Sequence, residues 1–186
     1  YQEVQVATSQ KACDFPTGIA EVAMVSGYGQ YHTNDYDPTN PTKRLTPYVG
    51  ITLSGIKALV DSPQAIDKKR AQWVIPSTLP SRCFDTQRQQ GQFLMLWADL
   101  DKEPQPIDRV AEIVTSITDG VDHEIYTSSS AKENYQKARL LIPLESSLSG
   151  EDWVLCQNIL NDLLIQHGLI IDPASKGAAQ LCYLPN

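Results

Sequence analysis

The clearest feature of the chain is a series of regular hydrophobic patterns that begins at residue 92. Residues 92–100 predict a strand, because apolar residues are nearly continuous there. Residues 106–120 predict a helix, since apolar residues recur at helical spacing and Gly120 follows them. The patterns that follow predict a strand at 123–129, a strand at 137–145, a helix at 149–168 and a strand at 178–185.

This order of elements predicts a mixed α/β (α+β) fold with a split βαββαβ core, as in RRM-like and palm domains. Residues 92–186 would form that core, and residues 1–91 an N-terminal α/β extension packed on it. The helices would cover one face of the antiparallel sheet. The other face would be left for ligands or for the extension. Such a core serves many unrelated functions, so it does not by itself indicate one.

The first half of the chain gives weaker patterns. The expected features are an irregular region over 1–50 with a loop at 31–48, a helix at 50–63, a strand centred on Trp73–Ile75, and a polar loop at 80–92. Because the chain starts at Tyr1 rather than at a methionine, we expect one compact domain taken from a longer protein.

Two acids follow the apolar run of the predicted strand at 92–100. Side chains alternate along a strand, so one face would carry Phe93, Met95, Trp97, Asp99 and Asp101. Two neighbouring carboxylates repel each other unless a cation lies between them, and Mg²⁺ or Mn²⁺ prefers such oxygen ligands. The acids therefore suggest a metal site, although a solvated strand end or a cap of the next loop is the alternative.

Other polar residues could complete such a site. Asp172 follows three apolar residues and would supply a third acid; the alternative is a plain turn acid before a proline. Lys137 and Arg139 share one face of a predicted strand and could bind phosphates, or could simply face water. Ser128 and Ser130 add hydroxyl groups in the preceding turn.

Composition narrows the functional classes. The 186 residues include 15 basic and 22 acidic side chains, a net charge of −7, which argues against a surface dominated by binding to phosphate backbones. A local basic groove is still compatible with this balance. We expect no membrane span and no secretory signal, because no apolar run approaches the length of about 20 residues that a span needs. Four scattered cysteines predict reduced thiols and a cytoplasmic protein.

Three blocks of the sequence together resemble the archaeo-eukaryotic primase superfamily, in particular the primase-polymerase domains of phages, plasmids and other mobile elements. The first block, LMLWADLDKEP, is similar to that family's hydrophobic strand ending in Asp-x-Asp. The second, YTSSSAKENYQKARLLIPL, resembles its Ser/Thr-rich turn, hairpin and strand. The third, IDPASKGAAQLCYLP, resembles an acid followed by a polar loop and a last strand. A weaker similarity covers residues 67–82.

The resemblance implies template-dependent nucleotidyl transfer during the replication of a mobile element. Asp99, Asp101 and Asp172 would be catalytic and would hold two Mg²⁺ or Mn²⁺ ions. The nucleotide phosphates would be bound by Ser128, Ser130, Lys137 and Arg139. The implied partners are a single-stranded DNA template, nucleoside triphosphates and a replicative helicase domain or protein.

Two departures from the family pattern leave an alternative open. The family's second motif often holds a histidine where this chain has Ser130-Ala131, and Gln180 stands where relatives of the phage type tend to have arginine. The alternative is a weakened, RRM-like module that binds nucleic acid or a nucleotide by stacking on aromatic residues. Its candidate platforms are Phe93, Trp97, Tyr126 and Tyr183. An endonuclease of the relaxase type is disfavoured, because the chain has no His-x-His pair.

Overall fold

A computed structural model describes residues 21–29 and 48–186, and this part of the chain is a mixed α+β structure with two antiparallel sheets and four α-helices. The strands are β1 (Met24–Tyr28), β2 (Val49–Ile51), β3 (Gln72–Ile75), β4 (Gln92–Leu100), β5 (Glu124–Thr127), β6 (Ala138–Ser149) and β7 (Cys182–Tyr183). The helices are α1 (Leu53–Asp61), α2 (Phe84–Gln90), α3 (Ile107–Ile117) and α4 (Gly150–Gln166), with a 3-10 helix at Pro173–Lys176. The loop predicted at 31–48 lies outside the described residues except for Tyr48.

Local sequence signals account for most of these boundaries. The Thr52 side chain accepts a hydrogen bond from the Gly55 N–H (3.0 Å) at the start of α1. The Ser149 hydroxyl accepts one from the Asp152 N–H (3.2 Å) at the start of α4. Both are N-caps, which satisfy backbone donors that the first helical turn leaves free. The predicted helices at 50–63, 106–120 and 149–168 and the strand at 92–100 are therefore confirmed.

Three elements differ from the expectation. The segment 80–92 contains α2 rather than only a polar loop, and β1 and the start of β2 lie within residues 1–50, which were expected to be irregular. The reason for α2 is a buried polar anchor, because the Gln87 amide donates to the Leu79 and Ser81 carbonyls, both at 2.7 Å. A helix fixed by one glutamine shows no apolar periodicity, so the pattern in the sequence missed it.

The second sheet contains three of the four strands expected for the split core. Its order is β4-β6-β5, with β4 and β5 each antiparallel to β6. The first sheet has the order β2-β1-β3-β7. The prediction that the last strand would join the same sheet as β4 was wrong, because β7 pairs with β3 through Trp73–Tyr183 and Val74–Cys182.

The free edge of β4 explains where β7 lies. Side chains from α4 already satisfy the backbone there: Trp153 Nε1 donates to the Met95 carbonyl (2.8 Å), and the Gln157 amide bonds both the N–H and the carbonyl of Trp97 (3.1 and 2.7 Å). Further along, the Asp172 N–H donates to the Asp99 carbonyl (2.8 Å). These contacts satisfy backbone groups that a fourth strand would otherwise bond. The β4 edge is therefore occupied, and β7 pairs with β3 instead.

Both faces of β4 are buried. Ala98 and Leu100 pack into a cluster with α3 and α4, which confirms for these two residues that the aliphatic side lies under the helices; Leu94, beside the bulge, belongs to the other cluster. Met95 and Trp97 pack on the opposite side, against residues of the first sheet and α1. A bulge between Phe93 and Met95 interrupts the ladder with β6. Thus the strand lies at the centre of the described part of the molecule.

Within the described residues, none of the helices combines the length and the apolar character that crossing a bilayer requires.

Candidate functional site

A row of three polar side chains crosses the second sheet at the end of β4. Arg139 on β6 is the register partner of Asp99 on β4 and of Tyr126 on β5. Directly paired residues of neighbouring strands place their side chains on the same face. All three therefore face the first sheet, opposite the layer of α3 and α4.

Asp99 and Arg139 form a nearly buried ion pair. The Arg139 Nε and Nη2 atoms donate to Asp99 Oδ2 at 3.2 and 3.1 Å, and the two side chains are only 19% (Asp99) and 9% (Arg139) exposed. The other carboxylate oxygen, Asp99 Oδ1, is buried and has no hydrogen-bond partner. Such an oxygen is unusual, because buried polar atoms are nearly always satisfied.

The pKa of Asp99 reflects this environment. Burial raises it above the ordinary aspartate value, Arg139 opposes the rise, and the negative charges of Asp101 and Asp172 add to it. The three acids are thus electrostatically coupled. A cation bound to Oδ1 would offset both the cost of burying the Asp99 charge and the repulsion from Asp101 and Asp172.

Asp101 and Asp172 are more exposed and have their own basic partners. Lys137 Nζ lies 3.8 Å from Asp101 Oδ2, and Lys102 Nζ lies 3.9 Å from Asp172 Oδ1. Asp172 also caps the 3-10 helix, because its Oδ1 accepts from the Ala174 N–H at 2.9 Å. The turn role that the sequence left open for Asp172 is therefore real, and it coexists with a place beside Asp99.

The three acids line one pocket of about 180 Å³. Its other charged lining residues are Arg139 and Lys68, and the remaining lining residues are Trp97, Ala174, Ser175, Gln180, Leu181 and Tyr183. The acids and Arg139 come from the second sheet and the segment after α4. Tyr183 belongs to the first sheet, and Lys68 to the turn that leads into it. The pocket therefore lies between the two sheets.

The serines predicted to bind phosphate are placed elsewhere. Ser128 and Ser130 hydrogen-bond to each other (Oγ–Oγ 3.1 Å) in the exposed turn after β5, and neither lines the pocket. Lys137 reaches the site only through Asp101. Of the four residues expected at the phosphates, Arg139 alone lines the pocket.

Most of the aromatic side chains are not available for stacking. Phe93, Trp97 and Tyr126 are buried, with exposures of 0%, 2% and 6%. Tyr126 instead links β5 of the second sheet to β7 of the first, because its hydroxyl donates to the Tyr183 carbonyl at 2.7 Å. Tyr183 is the one partly exposed residue of the four, and it lines the pocket beside the buried Trp97. The proposed stacking platforms are therefore wrong for Phe93, Trp97 and Tyr126.

Sequence reasoning missed two basic residues at the site. Lys102 Nζ lies 3.9 Å from Asp172 Oδ1, and Lys68 lines the acidic pocket, but no pattern in the sequence indicated either. The order of charges along the chain does not reveal them, because Lys68 comes from a turn more than 30 residues before Asp101.

Cys83, Cys156 and Cys182 are free thiols, and burial raises the pKa of Cys182 to about 12, as suits a core residue.

The donor set can be tested against Mg²⁺ or Mn²⁺. Carboxylate oxygens suit either ion, and the orphaned Asp99 Oδ1 is a ready ligand. As the side chains stand, no group of three His, Cys, Asp or Glu residues within 21–29 and 48–186 is close enough to hold an ion. Each acid instead meets a basic side chain. The residues fit the ion by chemistry, and it would compete with three basic side chains for them.

Comparison of the chain with protein-family models, curated proteins and solved structures finds no match.

Proposed function

We propose that this chain is a metal-dependent primase-polymerase domain, which transfers nucleotides from nucleoside triphosphates to a 3′-hydroxyl on a single-stranded DNA template. The observation that carries the proposal is the pocket that Asp99, Asp101 and Asp172 line together, with Asp99 Oδ1 buried and unpartnered. The three blocks of resemblance to the archaeo-eukaryotic primases support the same reading. So does the β4-α3-β5-β6-α4 order of the second sheet and its helices, which matches the first five elements expected for a split βαββαβ core.

In this proposal the acids bind the metal ions and the basic residues position an acid or balance phosphate charge. Asp99 Oδ1, Asp101 and Asp172 would hold Mg²⁺ or Mn²⁺, which supplies Lewis-acid activation of the hydroxyl and neutralises phosphate charge. Arg139 fixes the Asp99 carboxylate through Oδ2 and so leaves Oδ1 for the ion. Lys137 and Lys102 sit beside the other acids and would balance phosphate charge. A replicative helicase domain or protein remains a proposed partner.

The test is primer synthesis and extension on a single-stranded template with all nucleotides and Mg²⁺ or Mn²⁺. Asp101→Asn should lower the rate by roughly 100-fold or more, because it removes a charged ligand, and the near-identical shape of asparagine at this partly exposed position preserves the fold. Asp119→Asn is the matched control. Asp119 is exposed with φ 52, a backbone conformation that asparagine tolerates well, so its rate should be unchanged. Wild-type protein that makes no product with either ion contradicts the proposal.

A second candidate is a nucleotide- or nucleic-acid-binding module without catalysis. The observation that favours it is the pairing of all three acids with Arg139, Lys137 and Lys102, which holds the carboxylates without any metal. Binding of single strands that is unaffected by removal of divalent ions, with no synthesis, would favour this module over the polymerase.

A further inference from the structure

Lys68 stands in a turn that is fixed by hydrogen bonds. Asp67 Oδ1 accepts from the Lys69 N–H at 2.8 Å, which closes the turn from within. At its start, the Asn186 side-chain amide donates to the Ile66 carbonyl at 3.0 Å. The backbone that carries Lys68 is therefore held in place before any ligand binds.

The Lys68 side chain is directed to the pocket by an aromatic contact. Its Nζ lies 5.1 Å from the centroid of the Tyr183 ring, within the range of a cation–π interaction. Arg139, Lys137 and Lys102 each have a carboxylate partner at the site. In the described part of the chain, Lys68 has no such partner.

The positive charge of Lys68 is not matched by the acids of the site. Arg139, Lys137 and Lys102 each pair with one of the three acids. Lys68 lies on the wall near Tyr183 and pairs with none of them. An ammonium group without a carboxylate partner, beside a polar pocket, is suited to bind an anionic group of a ligand.

The size of the pocket limits what can enter. Its volume of about 180 Å³ is below the roughly 300–1,000 Å³ of pockets that enclose a drug-sized ligand. A whole nucleotide would not be enclosed, whereas its phosphate end would find charged and polar walls. The nucleoside would then remain outside.

We infer that Lys68, oriented by the Tyr183 ring, binds the phosphate chain of a nucleoside triphosphate on the wall that the first sheet contributes. This inference rests on the proposed function, because it assigns part of the substrate to a residue outside the acid row. The bound phosphates would contact Lys68 on one side; on the other, a Mg²⁺ or Mn²⁺ ion would have to separate them from the acid row, because phosphates and carboxylates repel each other. Binding would thus bridge the two sheets.

The experiment measures binding rather than synthesis. Calorimetric titrations with inorganic tripolyphosphate and with a nucleoside triphosphate are run with Mg²⁺ and with a chelator, on wild type, Lys68→Ala, Lys68→Arg and Lys69→Ala. Lys69 is the matched control, since it stands in the same turn and does not line the pocket. Lys68→Ala should weaken both ligands about tenfold, as expected for loss of one charge-assisted contact. Lys68→Arg and Lys69→Ala should stay within about twofold of wild type.

The results that overturn the inference are distinct. Equal affinities of Lys68→Ala and Lys69→Ala, or no binding of either ligand by folded wild type, would refute it. A loss confined to a single-stranded oligonucleotide would instead assign Lys68 to the template backbone. Failure of synthesis with Lys68-dependent triphosphate binding intact counts against the polymerase and not against this site. Synthesis by the wild type, with triphosphate binding that does not depend on Lys68, counts against this site and not against the polymerase.

Discussion

Replacing Asp99 by alanine would remove the buried counter-ion of Arg139. The Arg139 side chain is 9% exposed, and its guanidinium donates twice to Asp99 Oδ2, at 3.2 and 3.1 Å. Water has little access to replace that acceptor. The variant therefore keeps a desolvated positive charge without its partner, which is among the most destabilising changes in a protein interior.

The magnitude follows from two opposing effects. Removing one member of a buried ion pair costs about 3–5 kcal/mol. Some of this is offset, because the Asp99 carboxylate is itself penalised by burial and repelled by Asp101 and Asp172. We therefore expect a net loss of about 2–3 kcal/mol in the free energy of unfolding, which for a domain of this size lowers Tm by roughly 4–12 °C.

The assay is thermal and urea unfolding of Asp99→Ala, Arg139→Met and the double variant, each without divalent ions. The double variant should be less destabilised than the sum of the single variants, since neither charge is then left alone. A fall in Tm of less than 2 °C for Asp99→Ala, or simple additivity in the double variant, would refute the view that this pair holds Arg139.

The pH dependence of Arg139→Met gives an independent check. Burial already raises the pKa of Asp99, and Arg139 opposes that rise, so its removal raises the pKa further. A carboxyl group whose pKa is higher in the folded than in the unfolded state stabilises the fold when protonated, and this stabilisation is lost as the pH rises through the folded pKa. Arg139→Met should therefore regain stability as the pH falls below neutral. A deficit relative to wild type that stays constant would contradict this.

Two further stability predictions concern the backbone around the site. Gly29→Ala should lower the free energy of unfolding, measured in urea, more than Gly120→Ala. Both glycines have positive φ (79° and 78°), so alanine is strained at either position. Only at residue 29 would the added Cβ also lie close to a backbone atom, 2.7 Å from the Lys69 carbonyl oxygen. Equal costs would count against the close packing of that turn. Gln157→Leu should lower the free energy of unfolding by about 2–4 kcal/mol, because it leaves the N–H and carbonyl of Trp97 unpaired; a loss under 1 kcal/mol would contradict this.

Local patterns were sufficient to predict the elements around the site. The apolar run located β4 at residues 92–100, and apolar residues at helical spacing, followed by Gly120, located α3. Alternation also placed Asp99 on the same face as Trp97, away from the helices. These properties depend on residues close in sequence, and a periodic pattern records them directly.

Properties that depend on distant residues could not be predicted. The pairing of β7 with β3 depends on whether the β4 edge is free, and Trp153 and Gln157 cover that edge from α4. Nothing in the pattern of α4 distinguishes a glutamine that bonds a strand from one that faces water. Lys68 and Lys102 were missed for a similar reason, since a solvated lysine and one beside an acidic pocket look alike in sequence.

The proximity of Asp172 to Asp99 does not require the strand order that was expected. In a four-stranded split core, a last strand beside β4 would bring Asp172 close. Here the Asp172 N–H bonds the Asp99 carbonyl directly, at the last free position of the β4 edge. The 3-10 helix that Asp172 caps follows, and the chain then continues to β7 in the first sheet. One backbone hydrogen bond thus joins the acids of the second sheet to the strand that carries Tyr183, and the pocket forms where the chain crosses between them.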